Sequence, residues 1–77
     1  MNKKPAKHKY TISGYVTDGI SSETLIGTNI FERYQGTGTS TNPFGFYSIT
    51  LPAGNTELSF SYLGYEQQTC RFRLEKD

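Results

Sequence analysis

Apolar and polar positions alternate along residues 10–17, YTISGYVT: Tyr10, Ile12, Gly14 and Val16 fall on one side, Thr11, Ser13, Tyr15 and Thr17 on the other. A period of two sends successive side chains to opposite faces of an extended chain, so this stretch predicts a half-buried strand. Gly14 brings no side chain to that strand and marks a bulge or a close approach by another backbone. A second strand is expected over residues 28–33, with Ile26, Thr28 and Ile30 facing one way. Tyr47, Ile49 and Leu51 point inward from FYSITLP, and Leu58, Phe60 and Tyr62 from residues 56–62. In a last strand over 67–74, Cys70 alternates with Gln68, Phe72 and Leu74, which predicts a small buried residue rather than a reactive thiol. No window repeats apolar residues at helical spacing over three turns, which excludes an all-α fold.

Turn residues punctuate these strands. Asp18-Gly19 opens a polar loop through Ser21, Ser22 and Glu23, and Gly27 precedes the second strand. Residues 34–45, YQGTGTSTNPFG, are the richest in turn formers; threonines 37, 39 and 41 allow a short extended piece before Asn42-Pro43 and Gly45. Pro52-Ala53-Gly54-Asn55 predicts a tight turn, with residues 56–62 returning as the antiparallel partner of FYSITLP. Alternation then breaks at Tyr62-Leu63-Gly64-Tyr65. Gly64 is expected in a conformation closed to other residues, with Leu63 and Tyr65 covering the end of the core and a phenol bonding back to backbone. Five or six short strands with turns every ~8–12 residues predict an all-β fold, an antiparallel sandwich or barrel. Its inner faces would carry Ile12, Val16, Ile26, Ile30, Tyr47, Ile49, Leu51, Leu58, Phe60, Cys70, Phe72 and Leu74, enough for one thin core.

Composition narrows the function classes. Seventy-seven residues make one small domain, in which only about 60% of the unfolded surface becomes buried. Residues 1–9 read as a flexible arm and 10–77 as the folded domain; Lys3, Lys4, Lys7 and Lys9 in the arm are a solvated basic run. A net charge of +1 gives no general attraction to nucleic acid or anionic membrane. One cysteine excludes an internal disulfide and a paired-cysteine zinc site. No apolar run approaches the ~18 residues of a membrane span, and the polar start carries no signal-peptide core.

No catalytic constellation is present in the pattern. His8 is the one histidine and sits in the arm, so a serine–histidine–acid triad has no base held by the scaffold. Asp18, Glu23, Glu32, Glu57, Glu66, Glu75 and Asp77 are scattered without a spacing that suggests shared acid/base work, and no calcium loop surrounds Asp18. GTGTSTN lacks the lysine and following helix of a phosphate-binding loop. Aromatic residues are numerous, but only Arg33, Arg71 and Arg73 accompany them in the folded part, too few for a single-strand nucleic-acid groove. The residues therefore predict no catalytic, cofactor-binding or metal-binding side chains.

Four segments in order, ISGYVTD, ETLIGTNIF, GTGTSTNPFGFYSITLPAG and LSFSYLGYE, carry a family resemblance over residues 10–73. They are similar to the carboxypeptidase regulatory-like domain, with its succession G-x-V-x-D, P-L-x-G-A-x-V, a T-D-x-x-G turn before F/Y-x-L-x-V-P-x-G, and S-Y-x-G-Y. The residues that carry the match are Gly14, Asp18, Gly27, Gly45, Tyr47, Pro52, Gly54, Tyr62, Gly64 and Tyr65. Thr24, Thr28 and Asn42 depart from it, standing where proline, alanine and aspartate are usual. The resemblance implies a small antiparallel Ig-like or transthyretin-like β-sandwich without enzyme activity, since the histidines of the related hydroxyisourate hydrolases are missing. The variant most resembles the N-terminal extension of SusC-like TonB-dependent receptors. That implies an exported, non-catalytic accessory domain on the periplasmic face of the outer membrane, in a nutrient-importing receptor. Its partner would be a protein: the receptor's own plug or barrel, the TonB-side machinery, or another periplasmic protein. Two alternatives stand beside it, a carbohydrate-binding module stacking sugars on Tyr15, Tyr34 and Phe44 or Phe46, and a folding domain of a secreted peptidase.

Overall fold

The computed structural model describes residues 8–75, so most of the expected arm, residues 1–7, lies outside the description. Six strands follow one another: β1 Lys9–Tyr15, β2 Asn29–Glu32, β3 Thr37–Ser40, β4 Phe46–Pro52, β5 Gly54–Ser61 and β6 Gln68–Leu74. They form two antiparallel sheets, β1-β4 and β3-β2-β5-β6. The expected all-β sandwich is the fold, and the threonine-rich segment supplies its short β3.

Alternation explains the core. Ile12 pairs with Ile49 and Tyr10 with Leu51 in the smaller sheet, while Ile30 pairs with Phe60 in the larger. Directly paired residues point to the same face, so these rows meet between the sheets. Ile30, Ile49, Leu51, Leu58 and Leu74 form the buried cluster, with Tyr10, Ile12, Tyr47 and Phe60 packed against it. Burial of each such aliphatic side chain contributes roughly 1.5–3 kcal/mol. Gly14 lies opposite Tyr47, and a Cβ there would come within 3.2 Å of the Tyr47 ring. The close approach is therefore made by an aromatic side chain, not by backbone.

Four expectations are corrected. First, β4 and β5 are not partners: β4 pairs with β1, and β5 with β2 and β6. The segment Pro52-Ala53-Gly54 is a crossing between sheets, with Gly54 at φ 125° and Ala53 N–H donating to the His8 carbonyl at 2.9 Å. Second, Ile26 is 53% exposed and Leu25 is buried in its place. The turn at Ile26-Gly27 interrupts the alternation, so counting back by twos from Ile30 selects the wrong residue. Third, Cys70 and Phe72 are exposed although they lie opposite Leu58 and Thr56, on the inner face. β6 is the edge of a four-stranded sheet facing a two-stranded one, and on that face only Leu74, at its end, is buried. A cleft of about 760 Å³ opens there between Thr11–Ser13 of β1 and residues 72–75. Fourth, Leu63 is 95% exposed and covers nothing.

Candidate functional site

The registers bring the C-terminal ends of β1, β3 and β5 together with the N-terminal ends of β2, β4 and β6. One end of the sandwich is thus built from three connections, residues 16–28, 41–45 and 62–67, and most of the residues carrying the family match lie on it.

Asp18 organises the first connection. Its Oδ1 accepts the N–H groups of Ile20 at 2.7 Å and Ser21 at 2.9 Å, closing an Asx turn. Its Oδ2 accepts the hydroxyl of Tyr65, so the phenol of the third connection bonds a carboxylate rather than the backbone expected from the sequence. The Tyr65 hydroxyl, followed by the N–H groups of Ser21 and Ile20, holds the Asp18 carboxyl down to about 2. The same bond pushes the Tyr65 phenol above its ordinary value. Gly64, at φ 86°, turns the chain so that Tyr65 N–H donates to the Tyr62 carbonyl at 3.0 Å. The two tyrosine rings then meet edge to face, 5.4 Å between centroids.

Asn42 shapes the second connection. Its Oδ1 accepts from the N–H groups of Phe44 at 2.9 Å and Phe46 at 3.0 Å. Those bonds require only an acceptor, which is why an amide serves where the resemblance has aspartate. Gly45, at φ 76°, donates its N–H to the Asn42 carbonyl, and a Cβ there would meet Thr24 and the Val16 carbonyl at 3.0 Å. Thr28, a second polar departure, is satisfied inside: its N–H donates to Thr41 Oγ1 at 2.9 Å, and both hydroxyls reach the Leu25 carbonyl, at 3.4 and 2.6 Å. Both threonines are buried.

A cleft of about 510 Å³ lies behind Tyr65, between Thr17, Leu25, Phe60, Tyr62 and Gln68. Among the described residues no group of three histidine, cysteine or acidic side chains is arranged to hold a metal ion. The rings proposed for sugar stacking are separated. Tyr15 and Phe46 meet edge to face at 62°, with Phe44 nearby in sequence, whereas Tyr34 lies in the turn after β2, with the Arg33 guanidinium 5.8 Å from its ring centroid.

A polar cluster at the opposite end escaped the sequence reading. Glu32 is buried and its carboxylate accepts the N–H groups of Gln35 at 2.6 Å and Glu57 at 2.9 Å, tying the β2–β3 turn to β5. Glu57 in turn accepts from Arg71 Nε at 2.7 Å and Arg33 at 3.4 Å. The Arg71 hydrogen bond is the main cause that holds the Glu57 carboxyl below its usual range, against the opposing effect of burial. The signal present in the sequence was one carboxylate, Glu32, at an inward position of β2, which has to be bonded when buried.

The CarboxypepD_reg-like domain model matches residues 12–77. The chain belongs to that family. It is similar to TonB-dependent receptor P39 of Formosa agariphila, 33% identical over 76 residues that make up 99% of this chain and 7% of the receptor. TonB-dependent receptor P3 of the same organism is 37% identical over 57 residues, 74% of this chain and 6% of that protein. The chain thus spans less than a tenth of the length of the curated relatives it matches. No solved structure matches it.

Proposed function

We propose that this CarboxypepD_reg-like domain is a non-catalytic accessory domain of a SusC-like TonB-dependent outer-membrane receptor, lying on its periplasmic face and acting through protein–protein contacts. The observation that carries the reading is the alignment of nearly the whole chain with a small part of a TonB-dependent receptor. The fold is compatible with contact work: β1 and β6 are sheet edges with one hydrogen-bonded neighbour each, and such edges offer backbone groups to an added strand. The partner on this reading is the receptor's own plug or barrel, the TonB-side machinery or another periplasmic protein. Among the described residues no coplanar pair of exposed rings favours the carbohydrate-binding alternative.

Deleting residues 10–74 from the full-length receptor tests the proposal. The expected result is a barrel that reaches the outer membrane in normal amount and still binds its nutrient, with energised uptake reduced. Uptake at the undeleted level would count against an accessory role. Loss of the barrel from the membrane would assign the domain to assembly instead.

A further inference from the structure

The loop end described above carries most of the exposed large apolar side chains. Of nine such residues among those described, five lie in its connections, Ile20, Ile26, Phe44, Leu63 and Tyr65, and a sixth, Tyr15, ends the strand that leads into it. Three stand almost clear of the protein, Ile20 at 98%, Leu63 at 95% and Phe44 at 73% exposed. Isolated exposed apolar residues are ordinary on protein surfaces, but their collection at one end of a small domain is the pattern of an interaction site. Local structure does not demand them. Ile20 contributes its backbone N–H to the Asp18 turn, Leu63 precedes a glycine with open space around it, and Phe44 sits in a turn held by Asn42.

Charge is as uneven as hydrophobicity. Residues 16–28, 41–45 and 62–67 contain no lysine or arginine, and their charged residues are Asp18, Glu23 and Glu66. Asp18 is committed to its bonds with Ile20, Ser21 and Tyr65. Glu23 and Glu66 are exposed. Lys9, Arg33 and Arg73 lie at or toward the other end of the strands. An anionic lipid surface would be repelled by such a face, and a glycan would require ring planes that the edge-to-face Tyr15 and Phe46 do not offer.

We infer that this loop end docks a protein segment in which apolar side chains are flanked by lysine or arginine, with Ile20, Phe44 and Leu63 as anchors and Glu23 and Glu66 as the complementary rim. The inference rests on the reading of the domain as one that works by protein contact, and it names the face and the partner's chemistry. Apolar anchors inside a polar rim are the usual anatomy of a specific interface, and charges at the rim act chiefly on encounter rate and register.

The test places a photo-cross-linking phenylalanine derivative at Leu63, and separately at Phe31 on the outer face of β2, in the full-length protein expressed in its own cells. The Leu63 position is expected to capture a protein whose adducted peptide contains apolar residues next to lysine or arginine, and the Phe31 position is not. Glu23→Lys combined with Glu66→Lys should lower the Leu63 adduct yield about fivefold or more without moving the thermal midpoint. Four results overturn the inference: a phospholipid adduct, an adduct to a second copy of the chain, a partner peptide without basic residues, or no adduct at Leu63. Equal capture of the same peptide from Phe31 does so too. The deletion of residues 10–74 keeps the two readings apart. Impaired uptake with no Leu63 adduct retains the accessory role and removes this surface; normal uptake with a basic, apolar partner does the reverse.

Discussion

The phenol of Tyr65 donates a hydrogen bond to the carboxylate of Asp18, 47 positions earlier in the chain, and so ties the corner after β5 to the loop after β1. The Asp18 carboxyl, held down to about 2 from an ordinary 3.8, makes folding sensitive to acid. Its folded value lies below its unfolded one, so the contribution is fully present above 3.8 and is lost as the pH falls toward about 2. Glu57, lowered by Arg71, adds to the same limb. Urea midpoints measured from pH 6 to 2 should fall across this window, and Tyr65→Phe should flatten the part of the fall that belongs to Asp18. An unchanged slope in Tyr65→Phe would show that the bond is not the cause.

Gly64 is expected to tolerate asparagine better than alanine. Its φ of 86° lies where side chains are strained, yet a Cβ there meets nothing within 4 Å. The penalty is therefore conformational, about 1 kcal/mol for Gly64→Ala and less for Gly64→Asn, since asparagine visits this region more readily. Thermal or denaturant midpoints of the two variants decide it, and equal losses would point to packing instead.

Glu32→Ala should destabilise the domain by about 1–3 kcal/mol, because it strips acceptors from the N–H groups of Gln35 and Glu57. Glu32→Gln retains one acceptor oxygen and should cost less. The comparison is made by chemical denaturation at neutral pH; a harmless alanine would mean that water or neighbouring groups satisfy both donors.

Leu58 and Cys70 face each other in the register but should respond differently. Leu58→Ala opens a cavity in the buried cluster and is expected to cost about 2–5 kcal/mol. Cys70→Ser is expected to stay within about 0.5 kcal/mol, as for other surface substitutions. A thiol reagent should modify Cys70 in the folded protein at a rate close to that of the unfolded chain. Slow labelling would show that the edge of β6 is covered.

Much of the fold could be read from local pattern. Alternation placed Ile12, Ile30, Ile49, Leu51 and Leu58 on the core side, because the period of two reports which face a side chain occupies. The candidate surface was less visible. Asp18 and Tyr65 were legible as members of a family pattern, but nothing in their spacing said that they touch. In the sequence Glu32 is one scattered carboxylate among several, and its bonds to Gln35 and Glu57 arise only after β2 lies against β5.

The sequence by itself determined an all-β chain, its turns and the inward parity of its strands, since these depend on neighbours a few residues apart. Tertiary structure decided how strands pair, sending β4 and β5 to different sheets across Pro52-Ala53-Gly54. It also decided that Cys70 and Phe72, on the correct face, stay exposed while Leu74 of the same strand is buried, because burial requires an opposing layer and the smaller sheet does not extend over all of β6. The gathering of Ile20, Phe44 and Leu63 at one end has the same origin. Residues from three separate connections share one end of the sandwich only because antiparallel registers bring those connections there.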